Sequence, residues 1–214
     1  MGFTGKAFGR TISAVLGLFF VLRVFAEVAV VDDAGQKVAL TSPAMRVVSL
    51  APNITEILFF IGAGEQMVGA VEYSDFPPAA RDLPVIGSHS RFDVEQILSL
   101  KPDLIVGWLS GNSLEDLEGL KRLGLPVFIS EPSTVEGIVS LMERLGVLTG
   151  HQAQSLSQAS AFRASFNASR ETYSTRRQVS VFYQVWEQPI YTLNGDHVIS
   201  QLISLCGGRN IFSD

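Results

Sequence analysis

The chain has 214 residues, with 16 Lys and Arg against 21 Asp and Glu, a formal net charge of −5. With no basic run longer than Arg176-Arg177, this excludes a general nucleic-acid binder, which needs clustered cations to release counterions. Apolar residues make up 47% of the chain and charged ones 17%, enough to bury a core, while one cysteine and three histidines exclude a disulfide scaffold and a structural zinc cluster.

At the start of the chain, Lys6 and Arg10 precede an apolar run of 12 residues from Thr11 to Leu22, followed by Val24-Phe25-Ala26. Residues 1–26 read as a secretory signal peptide cleaved after Ala26. A spanning helix needs about 20 apolar residues, and Arg23 closes this run too early. No cysteine stands near the cleavage position, so a lipoprotein anchor is not expected. Removing Lys6, Arg10 and Arg23 leaves 13 basic against 21 acidic residues, so the exported chain carries −8. An exported, acidic chain without disulfides suggests a bacterial periplasm.

An N-terminal extension, 27–45, contains a hairpin-like turn at Asp32-Asp33-Ala34-Gly35. From 46 to 132 strand and helix patterns alternate, which predicts a doubly wound α/β lobe. Val47 to Leu50 is a strand; Asn53 is placed to cap a helix carrying Ile54, Ile57, Leu58 and Ile61. Val68 to Val71 is the next strand, and Asp93 caps a helix that Pro102 ends. Leu104 to Val106 and Val127 to Ile129 are continuous apolar strands of the kind buried on both faces, with a helix at Leu114 to Leu123 between them.

Residues 133–177 form a helical connector. Ser133 and Glu136 make a capping box, Thr149-Gly150 a short break, and His151 to about Thr175 a long helix with a thin stripe of Leu156, Ala159, Phe162 and Phe166. Residues 178–214 open a second α/β lobe. Val179 to Tyr183 and Pro189 to Leu193 are extended, and Val198, Leu202, Leu205 and Cys206 repeat at helical spacing before Gly207-Gly208. Cys206 is expected to be a buried small hydrophobe.

Four segments carry a family resemblance: Arg46 to Glu56; Tyr73-Ser-Asp-Phe-Pro-Pro78; Leu98-Ser-Leu-Lys-Pro-Asp-Leu-Ile-Val106 with Trp108; and Leu202 to Phe212 with its Cys-Gly-Gly-Arg-Asn-Ile-Phe ending. The chain resembles periplasmic substrate-binding proteins of the helical-backbone class, which serve ABC importers of cobalamin, haem and ferric siderophores. Tyr73-Ser74-Asp75 with Trp108 points to the cobalamin branch, whereas the Lys-Pro-Asp stretch belongs to the whole class.

The resemblance implies two doubly wound lobes joined by a long rigid helix, with the second lobe truncated in this chain. It also implies that the protein is a monomer, is not an enzyme and needs no cofactor. Cobalamin or a related corrinoid is its cargo, and the permease of an inner-membrane ABC importer is its partner.

A corrin is a broad apolar disc rimmed by amides, so its cleft needs flat aromatic walls and few polar anchors. Tyr73 and Trp108 on the first lobe, with Trp186 and Tyr191 on the second, are the candidate walls; each also suits an ordinary core position. His89 stands where cobalamin-binding relatives carry a tryptophan, and it is either a cobalt ligand, a wall or a solvated loop residue. Glu95 matches an importer-docking glutamate of the family, although a first-turn carboxylate also favours the helix dipole.

Haem or siderophore capture is the nearer alternative. Haem asks for an axial tyrosine or histidine and siderophores for arginines such as Arg91. An enzyme on a similar fold is the distant one, because Gly62-Ala63-Gly64 ends a helix rather than opening a dinucleotide loop and no nucleophile elbow occurs.

Overall fold

A computed structural model of the chain describes residues 1–2, 27–173 and 175–213. Of the expected signal segment, 1–26, residues 3–26 lie outside the described residues. Among the described residues no helix is long and apolar enough to cross a membrane.

The strands β1 (Val28–Val31) and β2 (Lys37–Leu40) form the expected hairpin, with Asp32 accepting from the amide of Gln36 at 2.7 Å and Gly35 at φ +76° in the turn. This hairpin is part of the first lobe. Val38 and Leu40 are buried in its core, and Asp33 accepts from the Glu131 amide at 2.6 Å and pairs with Arg144 at 2.7 Å.

Strands β3 (Val47–Ser49), β4 (Met67–Ala70), β5 (Leu104–Trp108) and β6 (Val127–Ser130) make a parallel sheet in the order β4-β3-β5-β6. Successive strand side chains point to opposite faces, and both faces are covered, which is why the strands are apolar apart from the buried Ser49 and Ser130 at the carboxyl ends of β3 and β6. Val47, Leu104, Val106 and Phe128 join one core with α1 (Pro52–Phe60) and α4 (Val135–Thr149). Val48, Ile105, Val127 and Ile129 join the other with α2 (Val94–Ser99) and α3 (Leu114–Arg122). The lobe is doubly wound, as expected.

Two helix starts differ from expectation. The cap of α1 is Ala51, which makes no side-chain bond, and Pro52 takes the first helical position; Asn53 lies inside the helix and caps nothing. Proline has no amide to leave unpaired and its fixed φ suits the first helical position, which sets the start of α1 at Pro52 and leaves Ala51 at the cap. In α4 the cap is Thr134, whose hydroxyl accepts from the Gly137 amide at 2.9 Å, so Ser133 and Glu136 form no capping box. That start buries both Val135 and Val139 and leaves Glu136 to reach α5 (Gln152–Tyr173). Asp93 and Ser113 cap α2 and α3, accepting from Gln96 and Asp116.

With 22 residues, α5 is about 33 Å long. Its buried face is Ser155, Ala159 and Phe166; Leu156, expected on that stripe, is 47% exposed. The reason is Gly146 on α4, where any Cβ would collide with the Ser155 side chain, so the two helices meet through their smallest residues. Although placed within the connector by sequence, α4 fills the first lobe's core, and α5 packs along it, adding Ala159 and Phe162 to the same cluster.

The C-terminal unit holds β7 (Val179–Val181), β8 (Trp186–Glu187), β9 (Ile190–Tyr191), α6 (Val198–Leu205) and β10 (Gly208–Asn210). Strands β7 and β10 pair in parallel around α6, while β8 and β9 form a separate short hairpin. Trp186 and Tyr191 therefore stand on that hairpin rather than on the strands of the parallel pair. Asn210 is buried and donates to the Leu193 carbonyl at 2.7 Å and to Ser200 Oγ at 2.9 Å. Cys206 is exposed, contrary to expectation. It lies one turn beyond Leu202, which is itself 43% exposed, on a face of α6 that the described residues leave open.

Candidate functional site

The loops that follow the carboxyl ends of the strands gather the first-lobe candidates, and an open α/β sheet presents its crevice on this edge. Tyr73 lies just beyond β4. Its φ is +65° and it is 82% exposed, so a bulky side chain is held outward on a left-handed backbone that non-glycine residues rarely adopt. Trp108 is the last residue of β5 and is half-buried. His89 sits on the loop before α2, exposed, with its ring centroid 6.2 Å from that of Trp108 and tilted by 46°.

The next turn fixes the Trp108 backbone. The Trp108 amide donates to Asn112 Oδ1 at 2.6 Å, and the Ser110 amide and hydroxyl both donate to Glu131 at 2.9 Å. Below this edge lie three buried hydroxyls: Thr55 donates to Ser49 at 3.0 Å and approaches Ser74 at 3.2 Å, tying β3, α1 and the Tyr73 loop together.

Trp186 and Tyr191 are direct cross-strand partners, 62% and 59% exposed, and so share one face of the β8–β9 hairpin. The candidates thus come as two aromatic pairs, His89 with Trp108 and Trp186 with Tyr191; Tyr73 belongs to neither. Glu95 is exposed in the first turn of α2, one turn after the loop that holds His89. A separate apolar cavity of about 730 Å³ lies among Ile57, Phe60, Phe76, Met142, Phe162 and Val198, and none of the five aromatic and histidine candidates lines it. Among the described residues no three His, Cys, Asp or Glu side chains cluster as for a metal ion.

Residues 47–214 match the family described as periplasmic binding protein. The chain belongs to that family. It is 39% identical over 171 residues to the vitamin B12-binding protein of Vibrio campbellii, covering 80% of this chain and 62% of the relative. The chain thus spans less than two thirds of that relative's length. The crystal structure of the periplasmic vitamin B12 binding protein BtuF of Vibrio cholerae superposes with a TM-score of 0.73 at 39% identity, covering 80% of this chain and 68% of that one. The periplasmic heme-binding protein RhuT from Roseiflexus sp. RS-1 gives 0.69 at 26% identity, covering 80% and 67%.

In this periplasmic binding protein the Lys101-Pro102-Asp103 stretch is structural. Asp103 accepts from the amides of Met45 and Arg46 at 2.9 and 2.8 Å, and the Arg46 guanidinium donates to the Leu100 carbonyl at 2.7 Å. This latch joins α2 to the amino ends of β3 and β5, away from the carboxyl edge, which is why the motif says little about cargo. Sequence reasoning missed Asn112 and Gly111. Their only sequence signal is a Gly-Asn turn between a strand and a helix, a pattern common to many loops.

Proposed function

We propose that this chain captures cobalamin or a related corrinoid in the periplasm and delivers it to the permease of an ABC importer, without catalysing a reaction. Its kinship with vitamin B12-binding proteins, at 39% identity over 80% of the chain, supports that cargo. The observation that carries the reading is the His89–Trp108 pair on the carboxyl edge of the sheet, a tilted ring corner 6.2 Å across that offers flat apolar surface with one imidazole. Trp108 stacks against the corrin face, Tyr73 stands at the rim, and Trp186 with Tyr191 supplies the facing wall. His89 lines the wall and presents an imidazole to the cobalt. Glu95, exposed beside the same loop, is the acidic contact for the permease.

Titration of the protein lacking residues 1–26 with cyanocobalamin and with haem, followed by absorbance and calorimetry, tests the cargo. Saturable cobalamin binding with weaker haem binding is expected. Haem binding without cobalamin binding overturns the reading in favour of haem capture, which the 26% identity to a heme-binding protein keeps as the second reading. For the metal contact, bound aquocobalamin is expected to show an absorbance shift that disappears in His89→Ala.

A further inference from the structure

Asn112 is only 7% exposed, and its side chain is spent on three different loops. Its Oδ1 accepts from the Trp108 amide at 2.6 Å. Its Nδ2 donates to the Leu50 carbonyl at 3.0 Å and to the His89 carbonyl at 2.6 Å. Its own amide donates to the Trp108 carbonyl at 2.9 Å, closing the turn from Trp108 to Asn112. One buried amide therefore holds the end of β3, the loop before α2 and the end of β5 at a common point.

Both rings of the candidate wall hang from backbone groups that this amide binds, while the rings themselves are exposed or half-buried. His89 is exposed, whereas Trp108 is half-buried against the core and lies on the Gly111 backbone, so the separation of the two rings depends chiefly on how the His89 loop and the Trp108 turn are fixed to each other. The opposite side of the turn is pinned too, by the Ser110 bonds to Glu131 and by Asp33 accepting from the Glu131 amide.

From this geometry we infer that Asn112 is the positioning residue of the aromatic wall, setting the His89–Trp108 separation before any ligand arrives. The inference rests on the corrinoid-binding reading for its effect on affinity, but not for its effect on the rings. A wall preset in this way binds without paying to order its side chains, and an interior amide with every group bonded is costly to remove.

The test uses Asn112→Ala, with Leu120→Ala as a control that truncates the core under α3 without touching the turn. In a Trp186→Phe background Trp108 is the only indole, so its emission and anisotropy report the wall without ligand. Asn112→Ala is expected to shift the emission and lower the anisotropy, while Leu120→Ala loses thermal stability and leaves both unchanged. With both tryptophans present, cyanocobalamin affinity is expected to fall about tenfold in Asn112→Ala. That loss should shrink when Trp108→Ala is already present.

Should Asn112→Ala fail to fold, Asn112→Asp retains the acceptor for Trp108 and loses both donated bonds; affinity is expected to fall and the Trp108 emission to shift as the His89 ring moves from it, with the anisotropy little changed. Wild-type fluorescence and affinity in the folded Asn112 variants overturn the inference, as does an equal spectral change in Leu120→Ala. Absence of cobalamin binding in the wild type defeats the functional reading instead, and the fluorescence comparison still decides the role of Asn112.

Discussion

A Cβ on Gly111 would fall inside the indole of Trp108, so the ring lies directly on the backbone of the turn that follows its own strand. A flat ring lying against bare backbone leaves one face for a ligand and needs a residue without a side chain beneath it. The adjoining Asn112 holds the same turn from below.

Gly111→Ala is therefore expected to tip the indole off the turn. Cyanocobalamin affinity should drop, bounded by the loss in Trp108→Ala, about 1 to 3 kcal/mol for a stacking wall. Thermal stability should change little, since Trp108 is only half-buried. Calorimetric titration of both variants checks this, and unchanged affinity in both removes Trp108 from the site.

Tyr73 combines φ +65° with 82% exposure, so the fold bears a backbone cost at that position without burying the ring. Tyr73→Gly should stabilise the protein by about 1 kcal/mol, a rise in Tm of roughly 2 to 4 °C, while weakening ligand binding. A fall in Tm would mean that the tyrosine serves the loop's structure, and its place in the site would go with it.

The Gly146–Ser155 contact predicts how α4 and α5 are coupled. Gly146→Val should cost about 1 to 3 kcal/mol through overpacking, seen as a lower denaturation midpoint. Ser155→Gly should recover part of that loss in the double variant. Strictly additive effects would show that the helices do not meet there.

Glu136 on α4 pairs with Arg163 on α5, and the guanidinium contacts both carboxylate oxygens at 2.8 to 3.1 Å. Hydrogen bonding from Arg163 holds the Glu136 carboxyl below its ordinary range and raises the Arg163 guanidinium above its own. A carboxyl depressed in the folded state adds stability above its unfolded pKa, and that stability is lost as pH falls through the folded value. Wild type should thus be slightly more stable than Glu136→Gln at neutral pH and equal to it in strong acid, with the gap narrowed by salt because the pair is exposed. A gap that persists unchanged in acid contradicts this assignment; denaturant melts across the pH range measure it.

Glu95→Arg is expected to leave cobalamin binding intact while lowering importer-dependent uptake, because it sets like charge against a basic docking partner. Uptake assays in cells lacking the native binding protein test it, and undiminished uptake removes Glu95 from the docking surface.

Much of the first lobe was legible along the chain because its signals are local. Apolar runs such as Leu104 to Val106 mark strands buried on both faces, Asp93 marks a cap, and Gly150, at φ +75°, marks a helix end. The places of Tyr73 and Trp108 after strands and of Glu95 in a first helical turn were readable for the same reason, while their roles came from the family resemblance.

Tertiary structure decided the rest. Burial of Val135 with Val139 moved the α4 cap to Thr134, whereas the displaced α1 cap follows from Pro52, a local signal beside Asn53. The close approach at Gly146 turned Ser155 inward and Leu156 outward. Asn112 bonds to Leu50 and His89, 62 and 23 residues away in sequence. Such bonds depend on where the folded sheet brings its loops together, and no spacing along the chain encodes that. The sequence therefore determined which aromatic and acidic side chains reach the sheet's carboxyl edge, and the packed loops alone determined which of them stand within contact of one another.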